Sequence, residues 1–144
     1  MTIHLRYFAH TDSSPIGKVG LAYCEQLLAL GHPLRLVPIT FADLTQDARG
    51  DSDSVWASHR QLLVAPMPGA GVNVVCGRLD DLRRLHTVGM PNWALLTSDN
   101  LAESRRDVAA VLDRYNDVYA VSRALAEDVA RDLGLHPKLL EVRQ

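Results

Sequence analysis

The feature that most constrains this chain is an alternation. Short apolar runs of strand character take turns with stretches whose apolar residues recur at helical spacing. TIHLRYF (2–8), LRLVPI (34–39), VNVVC (72–76), NWALLT (92–97), DVYAV (117–121) and KLLEV (138–142) read as strands. Between the first two lies a polar turn, HTDSSPIGKVG, and then a helix. Leu21, Cys24 and Leu28 make one stripe of that helix, and Tyr23, Leu27 and Leu30 a second. Two adjacent stripes give a wide buried face, as a helix packed on a sheet requires. Gly31 fits the position just past that helix, where a left-handed backbone is cheap only for glycine. A strand, helix and strand of this length make a right-handed crossover between parallel strands.

The rest follows the same rhythm. FADLTQDARGDSDS (41–54) is polar and reads as a surface excursion, VWASHRQLL (55–63) as a short helix, and VAPMPGAG (64–71) as turns. RLDDLRRLHTVG (78–89) reads as a helix ending at Gly89. Ser104 and Asp107 resemble a capping box, before an apolar face of Val108, Val111, Leu112 and Tyr115. Ser122 caps a last helix with Leu125, Val129 and Leu133 on one stripe, closed by Gly134. The expectation is one domain over 1–144: a Rossmann-like, three-layer α/β fold with a mostly parallel sheet and helices on both faces. Ligands in such sheets sit beyond the carboxyl ends of the strands. That makes 9–20, 40–54, 77–80, 97–104 and 121–124 the candidate loops.

Composition narrows the function. The 144 residues are 47% hydrophobic and 22% charged, enough for a real core without metal or disulfides. A formal net charge of -2 argues against nucleic acid as the main partner, since a phosphate-binding surface needs excess Lys and Arg. Cys24 and Cys76 form no disulfide framework and read as buried thiols in a reducing compartment. The start MTIHLRYFAH has no secretory pattern, and no segment approaches the ~20 apolar residues of a membrane span. A cytoplasmic location is expected. The six histidines have no metal-site spacing, so neither a metal nor a cofactor is expected.

Three stretches resemble the N-terminal, acceptor-side domain of GT-B glycosyltransferases of the retaining family 4 type. They are Gly17-Lys18-Val-Gly20 with the helix end Leu30-Gly31-His32; Asn92-Trp93 through Thr97-Ser98-Asp99-Asn100 with Glu103; and Tyr115-Asn-Asp117-Val-Tyr-Ala-Val121-Ser122-Arg123 through Leu133-Gly134 and Pro137-Lys138. The resemblance covers nearly the whole chain, loosely over 40–70. It implies an acceptor-binding lobe whose donor nucleotide-sugar is held by a second, C-terminal domain. This chain stops where that domain would start, and its beginning at Met1 slightly favours a complete small protein. The resemblance therefore implies a half-domain that forms one wall of a sugar-transfer cleft and does not catalyse transfer alone. Its partner would be a second lobe. The alternative is a non-catalytic protein-binding or regulatory module, self-associating through an exposed final strand at Leu139, Leu140 and Val142. A weaker third idea is a nucleotide or metabolite sensor.

Each candidate site residue keeps a plainer reading beside the functional one. Gly17, Lys18 and Gly20 suit an anion or a hydroxyl at a helix N-terminus, or only a tight turn; their spacing matches neither a dinucleotide fingerprint nor a P-loop. His10 and Asp12 could do acid–base work, or decorate a polar loop. Thr97, Ser98, Asp99, Asn100 and Glu103, after a strand's carboxyl end, could bond a sugar, or Asp99 and Asn100 could only form a turn; the resemblance implies an aromatic–acid pair or a histidine where Ser98 and Asp99 stand. Ser122 could contact a ligand or only cap its helix, and Arg123 could meet a phosphate or stay solvated. His59 beside Trp56 and the late-helix His86 read as packing. Arg78, Arg83, Arg84, Arg105 and Arg106, mixed with Asp80, Asp81 and Asp107, read as solvated faces.

Overall fold

The computed structural model describes residues 3–40, 56–65 and 71–140. Six strands form one sheet: β1 (Leu5–His10), β2 (Leu34–Thr40), β3 (Val72–Cys76), β4 (Asn92–Leu95), β5 (Asp117–Ala120) and β6 (Lys138–Leu139). The order across the sheet is β2-β1-β3-β4-β5-β6, and every pair is parallel. Four α-helices cover it: α1 (Pro15–Ala29), α2 (Leu79–Leu85), α3 (Arg105–Leu112) and α4 (Arg123–Leu133). Two 3-10 helices, Ala57–Val64 and Ser98–Ala102, complete the described elements. The chain is a Rossmann-like, three-layer α/β fold.

Alternation along the strands divides the core in two. Leu5, Tyr7 and Ala9 of β1, Val74 and Cys76 of β3, and Leu95 of β4 face one side. There they meet Tyr23, Cys24 and Leu27 of α1, with Trp56 and Leu62. Val75, Ala94 and Leu96 face the other side, against Leu82 of α2, Val108 and Val111 of α3, and Val129 and Leu133 of α4. Every residue of β3 is buried, as its almost entirely apolar run suggests for a strand covered on both faces; Asn73 is its one polar residue. Buried phenols find partners: Tyr7 donates to the Gly20 carbonyl at 2.6 Å, and Tyr23 to that of Leu96 at 2.7 Å. Both thiols are free and buried, and burial pushes each up to about 12, so neither is an effective nucleophile.

Several boundaries differ from the sequence expectation, for physical reasons. β1 begins three residues later than expected and runs to His10, because its pairing with β2 continues past the apolar pattern, to His10 opposite Thr40. The turn after it is shorter than expected. Ser14 caps α1 and Pro15 starts it, so Gly17 and Gly20 lie inside the helix. The 55–63 helix is of 3-10 type and shifted by two residues. α2 ends at Leu85, and Gly89, with φ of 92°, serves the loop beyond. Gly31 (φ 87°) and Gly134 (φ 68°) end α1 and α4 as expected. The 41–54 excursion lies outside the described residues.

Candidate functional site

The strand order places one feature at the centre of the sheet. From β1 the chain steps outward to β2, whereas from β3 it steps the other way, through β4 and β5, to β6. The carboxyl ends of β1 and β3 therefore diverge at a topological switch point, the usual ligand crevice of open parallel sheets. His10 is the last residue of β1. Gly77 and Arg78 follow β3, and Thr97 to Asn100 follow β4, on the other side of β3.

His10 lies here and is 5% exposed. Its Nε2 is 2.7 Å from Oδ2 of Asp81, on the first turn of α2. Asp81 is itself only 6% exposed, so it belongs to no solvated face. Its carboxylate also accepts from the Arg78 backbone N–H at 3.0 Å and from the Arg84 guanidinium at 2.9 Å. Burial pushes the Asp81 carboxyl up, but the hydrogen bonds from His10, Arg78 and Arg84 outweigh it and hold it below its ordinary value. Gly77 makes this approach possible: a Cβ there would lie 2.7 Å from Asp81 Cβ and Oδ2. Beside it, buried Asn100 accepts from the Thr97 N–H at 2.8 Å and donates to the Gly77 carbonyl at 3.4 Å. Arg78 and Asp99 approach at 3.8 Å on the exposed rim. Among the described residues, His10 Nδ1 and Thr97 Oγ1 are buried without a hydrogen-bond partner.

The other sequence candidates divide sharply. Asp12 turns back on its own chain, accepting from the Ser14 N–H at 3.1 Å and from the Ser14 hydroxyl. Ser14 Oγ in turn accepts from Gly17 N at 3.2 Å. With Pro15 lacking an N–H, much of the N-terminal donor set of α1 is already spent. A Cβ on Gly17 would overlap the Asp12 carbonyl oxygen, and one on Gly20 would meet Ala9 Cβ at 3.3 Å. Both glycines therefore answer to close packing. Lys18 is exposed on the first turn of α1, and Ser98 and Asp99 are exposed beyond β4. Ser122 Oγ accepts from Leu125 N at 3.1 Å, which makes it the α4 cap, and Arg123 is exposed. β5, which leads to them, stands three strands from β1, about 14 Å away at ordinary strand spacing. The fold thus gathers His10, Arg78 and Asp99 with Asp81, Gly77, Thr97 and Asn100, and leaves Ser122 and Arg123 apart.

Arg78 and Asp81 are site residues that the sequence places on solvated faces, whereas Gly77, Thr97 and Asn100 fall in its candidate loops 77–80 and 97–104. Gly77 directly after an almost entirely apolar strand, followed by an acid on the first turn of a helix, is the signal that marks Asp81. No family model matches this chain, and neither a curated protein nor a solved structure matches it. Among the described residues, no group of three or more His, Cys, Asp or Glu side chains is placed to hold a metal ion. None of the described helices is long and apolar enough to cross a membrane.

Proposed function

We propose that the carboxyl end of this sheet is one wall of a sugar-transfer cleft, a glycosyltransferase-like half-domain that binds an acceptor and needs a second lobe for turnover. The observation that carries this reading is the buried His10–Asp81 pair at the β1/β3 switch point, with His10 Nδ1 left unpartnered among the described residues. A buried pair of hydrogen-bonded polar groups costs desolvation and is weak support for stability alone. At a switch point, and beside the polar rim of Arg78, Ser98 and Asp99, it suits recognition of a hydroxyl-rich ligand. The sequence resemblance points to the same end of the domain. One wall supplies few of the contacts that would hold donor and acceptor in reacting geometry, so the chain alone performs no transfer.

Calorimetric titration with simple glycosides and with UDP-glucose tests this. A one-walled site should give heat with a glycoside at ~10 mM, corresponding to weak affinity. His10→Ala should abolish that heat, and the isolated chain should not turn over UDP-glucose. Absence of heat from every glycoside, or turnover by this chain alone, would sink the proposal.

A second reading, docking of another protein chain, is favoured by a different feature. A groove of about 390 Å³, lined by Ala109, Leu112, Val118, Leu135 and Pro137, opens between α3, β5 and the segment before β6. β6 is the sheet edge, with Leu139 half-buried and Leu140 buried; Val142 lies outside the described residues. An edge of two residues offers little for strand pairing. Sedimentation at rising concentration separates the readings: growth of the mass toward a dimer supports docking between copies, and a constant monomer mass removes self-association.

A further inference from the structure

The Asp81 carboxylate meets three donor groups at once: His10 Nε2 at 2.7 Å, the Arg78 N–H at 3.0 Å and Arg84 at 2.9 Å. An ionised carboxylate only accepts, so the proton in the His10–Asp81 bond belongs to Nε2. In the neutral ring the other nitrogen then carries a lone pair. That nitrogen, Nδ1, is buried and has no partner among the described residues.

We infer that Asp81 is a positioning residue that locks His10 in the Nε2–H tautomer, so that Nδ1 accepts a hydrogen bond from a hydroxyl of the ligand. This rests on the reading of the carboxyl end as a ligand wall, and it deepens that reading by naming what the wall selects. The ligand is a neutral hydroxyl donor at this point. An ionised carboxylate has no proton to give and would set its lone pairs against that of Nδ1, with the Asp81 charge on the far side of the ring. The packing supports a fixed ring. Asp81 is held by three donors, and it packs against Gly77, where a Cβ would lie 2.7 Å from it.

Nitrogen-15 NMR of the His10 ring at alkaline pH reads the proton directly. The expected spectrum shows a protonated Nε2 and a bare Nδ1. Methyl α-D-glucopyranoside should shift the Nδ1 resonance, and acetate, which has no proton to donate, should leave it in place. Asp81→Ala removes the acceptor of the Nε2–H bond, so the proton should no longer be confined to Nε2 and the pyranoside shift should fall. Arg84→Ala, which removes one outer donor, should keep the native tautomer. The wild-type spectrum decides the matter even if Asp81→Ala fails to fold. A proton on Nδ1 of the wild-type protein overturns the inference while leaving calorimetric sugar binding intact. A bare Nδ1 that the pyranoside does not move means that only water meets it, which overturns the ligand assignment. A shift with acetate but not with the pyranoside overturns it too.

Discussion

Single residues carry much of this fold, and three glycines show how differently. Gly17 and Gly20 sit a turn apart in α1, where alanine would gain about 1 kcal/mol of helix propensity at either. At Gly17 the added methyl runs into the Asp12 carbonyl, which is backbone and cannot swing aside. At Gly20 it meets Ala9 Cβ at 3.3 Å and Trp56 at 3.5 Å, tight but adjustable. Gly17→Ala should therefore destabilise by ~2 kcal/mol, and Gly20→Ala should stay within ~1 kcal/mol of wild type, as read by urea denaturation. Gly77→Ala would push against Asp81 and should lower both stability and glycoside binding. Asp81 also predicts a pH dependence. Its folded carboxyl is held below the ordinary 3.8, so its contribution is complete above that value and is lost as pH falls through the folded value. The stability gap between wild type and Asp81→Asn should hold steady down to about pH 4 and narrow below it. Asp81 was illegible in the sequence for a physical reason. Asp80 and Asp81 are chemically alike neighbours, yet Asp80 stays exposed while a histidine 71 positions away buries Asp81. His10 itself was legible, because a histidine directly after a strand is visible without any tertiary contact.

At the scale of elements, local chemistry was readable and boundaries were not. The caps at Ser104 and Ser122 are made as expected, with Oγ accepting from Asp107 N at 3.2 Å and from Leu125 N at 3.1 Å. Those bonds form within three residues and depend on nothing distant. If Ser122 only caps, Ser122→Ala should cost ~1 kcal/mol in thermal or chemical unfolding and leave glycoside titration unchanged. A loss of binding without a loss of stability would return Ser122 to the site. The connection from α2 to β4 shows the opposite case. Asn92 accepts from Thr87 N at 2.9 Å and Asn73 Nδ2 at 2.9 Å, and donates to the carbonyls of Thr87 and Met90. Asn73 in turn accepts from Arg6 at 3.2 Å and donates to the Leu85 carbonyl at 3.0 Å. This buried network ends α2 early and sets the start of β4, and no periodicity announces it. Asn92→Leu would strand several partners and should cost at least ~2 kcal/mol by denaturant unfolding.

Among the described residues, the sheet lies between two separate clusters of buried apolar side chains. The alternation of strands and helices announced a parallel sheet, since helices between neighbouring strands permit nothing simpler. It did not announce where β2 would fall. That depends on which side of β1 the first crossover lands, and so does the switch point that makes His10 and Gly77 neighbours. Two separate cores raise the question of whether the layers fold together. β3 argues that they do, because its side chains alternate between both cores and its backbone bonds to β1 and β4. Losing either layer would expose half of a strand that has no exposed residue. Val74→Ala opens a cavity in the core under α1, and Val108→Ala opens one in the core under α2 to α4. Each should cost ~2 kcal/mol, from about 0.8 kcal/mol per lost methylene plus the cavity left behind. The two sites lie on opposite faces of the sheet and share no cavity, so the double substitution should add within ~0.5 kcal/mol. Both tryptophans, Trp56 and Trp93, report on the α1 side, whereas circular dichroism reports on the helices of both faces, α1 to α4 among the described residues. In a cooperative molecule the two signals fall together for Val108→Ala, although that substitution touches neither tryptophan. A dichroism transition that runs ahead of the fluorescence in this variant would mean that the α2–α4 layer can leave the sheet alone. His10 and Asp81 would then be parted before the α1 core unfolds.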